Sequence, residues 1–144
     1  MYIVITGAAG MIGSNLVRSL NERGVSNILA VDNLASSDKF LNLVDCNIAD
    51  YFHKDDFRVA LSAGSFDGEI SAILHQGACS NTMETDGVYI MDNNYRYSCD
   101  LLSYCQQESV PLIYASSAAI YGSSDVFEET IEHEKPLNIY GYSK

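Results

Sequence analysis

Met1-Tyr-Ile-Val-Ile-Thr-Gly-Ala-Ala-Gly-Met-Ile-Gly-Ser-Asn15 decides how this chain is read, because a short apolar run breaks at glycine and turns at once into a helical pattern. Tyr2 to Ile5 is partly β-branched and apolar throughout, as a strand covered on both faces should be. Gly7, Gly10 and Gly13 follow at steps of three. The stretch from Asn15 to Arg23 then carries a helical stripe of Leu16, Val17 and Leu20 that ends at Gly24. Such a turn has a specific use. Gly7 lets the chain reverse, Gly10 removes the Cβ that would stand against a diphosphate, and Gly13 lets helix and strand approach closely. The free N–H groups and positive dipole end of the helix then face the anion.

Three glycines alone are weak grounds, since many turns use them. The context is stronger. A second apolar run, Asn27-Ile-Leu-Ala-Val31, ends in Asp32, which places a carboxylate at a strand tip about 20 residues beyond the glycines, where a ribose hydroxyl would sit. A merely solvated strand-end aspartate is the plainer alternative.

Composition narrows the class. A chain of 144 residues with 47% hydrophobic content is within the usual size of one domain and can bury a core. Its formal charge of −11 argues against nucleic-acid and anionic-membrane surfaces, which it would repel over most of its surface. Any phosphate must therefore be held locally, by backbone N–H groups. Cys46, Cys79, Cys99 and Cys105 have neither CxxC nor zinc-finger spacing, so reduced thiols and no metal site are expected. The N-terminal apolar run is too short and lacks the basic flank of a signal peptide, and no run approaches bilayer length. The expectation is a soluble cytoplasmic protein.

Farther along, Phe40-Leu-Asn-Leu-Val44 reads as the third strand, with Asn47 and Ile48 in its exit loop as the wall of an adenine pocket. Lys54 to Ala63 reads as an amphipathic helix with Phe57 and Leu61 inward. Ser71 to Leu74 reads as the fourth strand, followed by a small-residue turn, His75-Gln-Gly-Ala-Cys-Ser80, that permits close backbone approach to a ligand. A long helical pattern from about Val88 to Glu108 carries Asn93 and Asn94 within a core-like stripe. A buried amide needs partners, so one of them should brace the strand-four turn or a bound cofactor. Pro111 to Ala115 is the fifth strand and delivers Ser116 and Ser117. Alternating strands and helices imply a Rossmann-like, doubly wound parallel sheet of order 3-2-1-4-5. The acidic stretch from Ser123 to Lys135 reads as a solvated loop. After Pro136 a helix would place Tyr140 and Lys144 at i and i+4.

Ser117, Tyr140 and Lys144 together suit one reaction. Tyrosine is a poor base at neutral pH, with an unperturbed pKa of about 10. A lysine ammonium one turn away, and the positive charge of an oxidised nicotinamide, both favour phenolate. A serine hydroxyl shares a hydrogen bond with the substrate oxygen while the proton leaves. An alcohol can then lose its proton to tyrosine as its hydride goes to the cofactor.

These residues resemble the extended, sugar-nucleotide branch of the short-chain dehydrogenase/reductase superfamily. The match runs through Thr6-Gly-Ala-Ala-Gly-Met-Ile-Gly13, Asp32-Asn-Leu34, His75-Gln-Gly-Ala78, Tyr114-Ala-Ser-Ser-Ala-Ala-Ile-Tyr-Gly122 and Tyr140-Gly-Tyr-Ser-Lys144. Longer runs, among them Asn42-Leu-Val-Asp45, Met91-Asp-Asn-Asn-Tyr95 and Glu134 to Lys144, are similar to the ADP-L-glycero-D-manno-heptose 6-epimerase family of lipopolysaccharide core biosynthesis. The resemblance implies Tyr140 as proton acceptor, Lys144 as its partner and a ribose contact, and Ser117 as the hydroxyl that positions substrate. It puts Gly7, Gly10, Met11, Ile12 and Gly13 on the diphosphate turn and Asp32 and Asn33 at the adenosine ribose. Gln76, Gly77, Ala78, Cys79 and Ser80 would lie along the cofactor, with Asn93 beside it. The substrate implied is ADP-heptose, and the full-length protein would be a homo-oligomer.

Asp32 by itself favours NAD, since its carboxylate repels a 2′-phosphate. The resemblance nevertheless implies NADP, because Lys39 and Lys54 match positions where that family places cations near the phosphate. Members of the family continue for more than a hundred further residues, with the last strands and a sugar-binding domain. Residues 1–144 are therefore expected to form one incomplete NAD(P)-binding domain, truncated before the last strands and the substrate domain, and inactive alone. The short helix at Tyr140 is expected to fray. Rivals are a 4-epimerase, which shares the three catalytic residues, and a non-catalytic dinucleotide-binding module. A 4,6-dehydratase fits less well, because Ala118 and Ala119 stand where that group carries Asp-Glu.

Overall fold

The structure is a computed structural model that describes residues 1–144, with Ser37 described by its backbone alone. The chain forms two compact units, one of Met1–Gly77 with Asp100–Tyr114, the other of Ala78–Cys99 with Ala115–Lys144.

The first unit is built on a five-stranded sheet: β1 (Tyr2–Thr6), β2 (Ile28–Asp32), β3 (Asp50–His53), β4 (Ile70–His75) and β5 (Leu112–Tyr114). Every pairing is parallel and the spatial order is β3-β2-β1-β4-β5, as the alternation of elements predicts. All of β2 is buried, as is β1 from Val4 to Thr6, which explains their continuous apolar character. Side chains alternate across the sheet. On one face Ile5, Ala8, Ile28 and Ala30 enclose Val17 of helix α1 (Met11–Glu22), with Leu16 and Leu20 alongside. Toward the other side, Phe52 and Phe66 meet Phe57 of α2 (Lys54–Ser62), with ring centroids 5.5 to 6.1 Å apart. Phe57 is fully buried, and a side chain of this size removed from water contributes about 3 kcal/mol.

The third strand differs from expectation. Ser37–Asn42 is a 3₁₀ turn, and the strand is Asp50–His53. A short apolar run cannot be told from a turn by its period, and here Phe40, Leu41 and Val44 are more than half exposed. Asp50-Tyr-Phe-His53 carries no local strand signal, because it is short and polar at both ends, which an edge strand tolerates. The adenine wall fails with it. Asn47 and Ile48 precede β3: the backbone of Asn47 is clipped by Asn21, and Ile48 packs against the core.

In the second unit, α3 (Gly87–Ile90) is capped by the Asp86 side chain and runs into a wide π turn, Met91–Arg96. Helix α4 (Tyr97–Glu108) follows and ends in the first unit. Ser117 caps a 3₁₀ turn, Ala118–Ile120. The acidic loop after it is mostly exposed, and its base is closed by Lys135, whose N–H donates to Ile120 O (2.9 Å) while its carbonyl accepts from Ser123 N (3.1 Å). Gly122 permits this closure: its φ is +48°, and a Cβ there would lie 1.9 Å from Lys135 O. A final helical turn, α5 (Ile139–Tyr142), is capped by Asn138, whose side chain accepts from Gly141 N at 2.8 Å.

Candidate functional site

The glycine turn joins β1 to α1, and each glycine there is demanded differently. Gly7 has φ +66°, and its missing Cβ would meet Gly77 N at 2.8 Å, so β1 and β4 exit side by side with no room for a side chain. Gly13 is the tightest: a Cβ would stand 2.1 Å from Gly7 O. Gly10 has an ordinary extended backbone and meets only Gly7 O, at 3.2 Å. Gly10 is also the N-cap of α1, and no side chain caps that end. Met11 and Ile12 are exposed. The first-turn N–H groups therefore lie open to an anion, and the cradle at Gly10 is one that a Cβ would partly fill.

Asp32, at the tip of β2, is 6% exposed. One carboxylate oxygen accepts from Ala9 N (2.9 Å), and the other from Asn33 N (2.7 Å) and Lys39 Nζ (2.5 Å). The aspartate thus fastens the glycine turn to β2 and is itself neutralised by Lys39, which also reaches Asn33 Oδ1 at 3.3 Å. Lys39 stands on the 3₁₀ turn that replaced the expected strand. From the same turn Asn42 Nδ2 donates to Ala9 O (2.8 Å), and Arg18 of α1 donates to Asn42 O (2.7 Å). Lys54 opens α2 and pairs with Asp55, holding that carboxyl below the usual carboxylate range.

At the β4 exit, Thr6 Oγ1 accepts from Gly77 N (3.0 Å) and shares a hydrogen bond with His75 Nδ1 (2.5 Å) whose direction follows the imidazole tautomer. Thr6 and His75 are each 2% exposed, and Gln76 N donates to Thr6 O (3.2 Å). Neither buried partner was singled out from the sequence, because a Thr before glycine and a strand-end His carry no local signal.

The second unit holds the remaining residues. Ala78, Cys79 and Ser80 follow the β4 exit. Asn94, 2% exposed, grips Cys79 through both backbone groups: its Oδ1 accepts from Cys79 N (2.7 Å), and its Nδ2 donates to Cys79 O (3.1 Å). Of the two amides expected to include a brace, Asn94 performs it. Asn93 is half-buried and donates to Asn94 Oδ1 at 3.1 Å. Ser117 Oγ accepts from Ala119 N at 3.2 Å. Gly141, next to Tyr140, lies so close to this turn that a Cβ would stand 2.5 Å from Ala119 O, so the serine turn and α5 are brought together. Tyr140 and Lys144 are half-buried, and burial pushes the Lys144 ammonium below its ordinary lysine pKa.

Among the described residues, no cluster of three or more His, Cys, Asp or Glu side chains could hold a metal ion, and no helix is long and apolar enough to cross a membrane.

A parallel sheet of this order, with a glycine turn feeding its first helix, defines a Rossmann-like α/β domain. The chain belongs to the NAD dependent epimerase/dehydratase family, whose profile matches residues 3–144. It is 61% identical, over 143 residues, to the ADP-L-glycero-D-manno-heptose-6-epimerase of Thiobacillus denitrificans, covering 99% of this chain and 43% of that protein. Among solved structures, the ADP-L-glycero-D-manno-heptose-6-epimerase of Helicobacter pylori superposes with a TM-score of 0.81 at 28% identity, over 99% of this chain and 47% of that one. The UDP-Glc/GlcNAc 4-epimerase of Campylobacter jejuni gives 0.80 at 30% identity, over 99% and 45%. The chain thus spans less than half the length of these relatives.

Proposed function

We propose that the full-length protein is an ADP-L-glycero-D-manno-heptose-6-epimerase that inverts C6 of ADP-heptose, with NADP as its cofactor, to supply lipopolysaccharide core heptose. The observation that carries this reading is the 61% identity to such an enzyme across 99% of the chain.

The hydrogen on the side-chain carbinol carbon of a heptose is not acidic, so inversion by deprotonation is closed. A dinucleotide held at the glycine turn would supply reversible hydride chemistry at that carbon. The remaining work falls to the chain. Tyr140 Oη takes the proton of the C6 hydroxyl and later returns it, so the substrate passes through a ketone that presents its other face. Lys144, four residues on, favours the phenolate by its charge. Ser117 Oγ holds the reacting oxygen by a hydrogen bond. On the cofactor side, Gly7, Gly10, Met11, Ile12 and Gly13 form the diphosphate cradle, whose uncapped first turn and missing Gly10 Cβ suit the group. Asn33 contacts the ribose, Gln76 to Ser80 run along the dinucleotide, and Asn93 lies beside it.

NADP is preferred over NAD because the Asp32 carboxylate, which would repel a 2′-phosphate, is ion-paired to Lys39. Lys54 is the second cation of this subsite. A cytoplasmic location and a homo-oligomeric assembly belong to the same reading. Residues 1–144 alone are expected to show no turnover, since they span 43% of the heptose epimerase they match.

The full-length gene product, incubated with ADP-D-glycero-D-manno-heptose, should invert the C6 configuration as followed by NMR, and Tyr140→Phe should abolish the inversion. A protein inert toward this substrate that interconverts UDP-glucose and UDP-galactose would be a 4-epimerase instead, the reading favoured by the Campylobacter jejuni structural likeness.

A further inference from the structure

The π turn in the second unit directs one side chain into a buried position that the proposed chemistry has not used. Asn94 has two acceptor and two donor capacities, and all are filled. Its Oδ1 accepts from Cys79 N and Asn93 Nδ2, and its Nδ2 donates to Cys79 O and, at 3.0 Å, to Ser143 Oγ. Ser143 is 3% exposed and just as fully engaged. Its Oγ accepts from Asn94 and donates to Tyr140 O at 2.7 Å, while its N–H also reaches Tyr140 O at 3.1 Å.

We propose that Ser143 is a positioning residue for the reaction: its hydroxyl, held by Asn94, anchors the end of the helical turn that carries Tyr140 and leads directly into Lys144. The inference rests on the reading of Tyr140 as the proton carrier. A helix of four residues cannot hold its own conformation, because the first turn costs more conformational entropy than its hydrogen bonds return. Asn138 fixes the start of α5, and Gly141 fixes its side against Ala119. Ser143 fixes its end, between the two residues whose placement matters most. Only a hydroxyl can accept from Asn94 and donate to Tyr140 O at once; a methyl group would leave a buried amide proton unpaired and the turn free to shift. Because the same amide grips both backbone groups of Cys79, the stretch Ala78 to Ser80 and the Tyr140 turn share one anchor.

The test uses the full-length gene product and measures C6 inversion together with dinucleotide affinity. Ser143→Ala should lower kcat roughly tenfold to a hundredfold, the scale of a displaced catalytic group, while KM stays at its wild-type value and dinucleotide affinity, which Lys144 serves as one contact among many, falls by a much smaller factor. Ser143→Thr, which keeps the hydroxyl, should restore most of kcat. Adding Ser143→Ala to Asn94→Ala should lower kcat no further than Asn94→Ala alone, since both cut one connection. Should Ser143→Ala fail to fold, Ser143→Cys keeps the volume, weakens the hydrogen bonds and should show the same kcat loss. An undiminished kcat in the folded Ala or Cys variant, a Thr variant as slow as Ala, or additive losses would overturn the proposal. Tyr140→Phe separates the two levels: if that variant still turns over, the catalytic reading itself fails, whereas an inert Tyr140→Phe beside an unimpaired Ser143→Ala sinks only the role of Ser143.

Discussion

Asp32 shows how one side chain can carry opposite meanings. Taken as a bare carboxylate at a strand tip it speaks for NAD, since a 2′-phosphate beside it would be repelled. In the folded chain it is bound to Lys39 and to two backbone N–H groups, so its charge is already spent on the protein. In the proposed reading this cation has a second use, because Lys39 also reaches Asn33 Oδ1 at 3.3 Å, where the 2′-phosphate of the proposed cofactor would lie. The proposed NADP preference therefore hangs on this lysine. Lys39→Ala should weaken NADP binding about tenfold, equivalent to about 1.4 kcal/mol, and leave NAD binding at its wild-type value, as titration calorimetry would record. Tighter binding of NAD than NADP by the wild type, with Lys39→Ala without effect, would refute it.

The β1–α1 turn is an element whose three glycines can be separated by experiment. Gly13→Ala forces a Cβ to 2.1 Å from a backbone oxygen, and backbone cannot swing aside, so the variant should lose about 3 kcal/mol or more, or fail to fold. Gly10→Ala has a permitted backbone and one contact at 3.2 Å, so its melting temperature should stay near wild type. Its dinucleotide affinity should nevertheless fall at least about tenfold, because the new methyl group would enter the proposed diphosphate cradle. Loss of stability at Gly10, or unaltered affinity there, would show that the turn serves packing alone. Helix α4 illustrates a different kind of tie: Tyr104 OH donates to Phe66 O at 2.7 Å, and burial pushes its phenol up to about 12.

For the whole chain, the dominant feature is 19 acidic against 8 basic side chains. An excess of one sign loosens a compact state by self-repulsion, which dissolved ions screen. Raising sodium chloride from about 0.01 M to about 1 M shortens the Debye length from about 30 Å to about 3 Å, so the melting temperature of this chain should rise across that range. A melting temperature that falls instead would mean that pairs such as Lys39–Asp32 and Arg58–Asp100 outweigh the general repulsion.

What the chain declares by itself is what local sterics and period dictate. A glycine triplet between a strand and a helix, an aspartate at the next strand end, and a tyrosine and lysine four apart are all written within a few neighbouring residues. Strand order follows because right-handed crossovers leave few alternatives. The tertiary structure alone decided the third strand, because a polar edge segment is recognised only by the neighbour it pairs with. It alone decided that Asn94 meets Ser143, 49 residues away, and that Thr6 meets His75, 69 residues away. Burial makes such hydrogen bonds obligatory, and burial is a property of the folded chain, not of any short stretch of it.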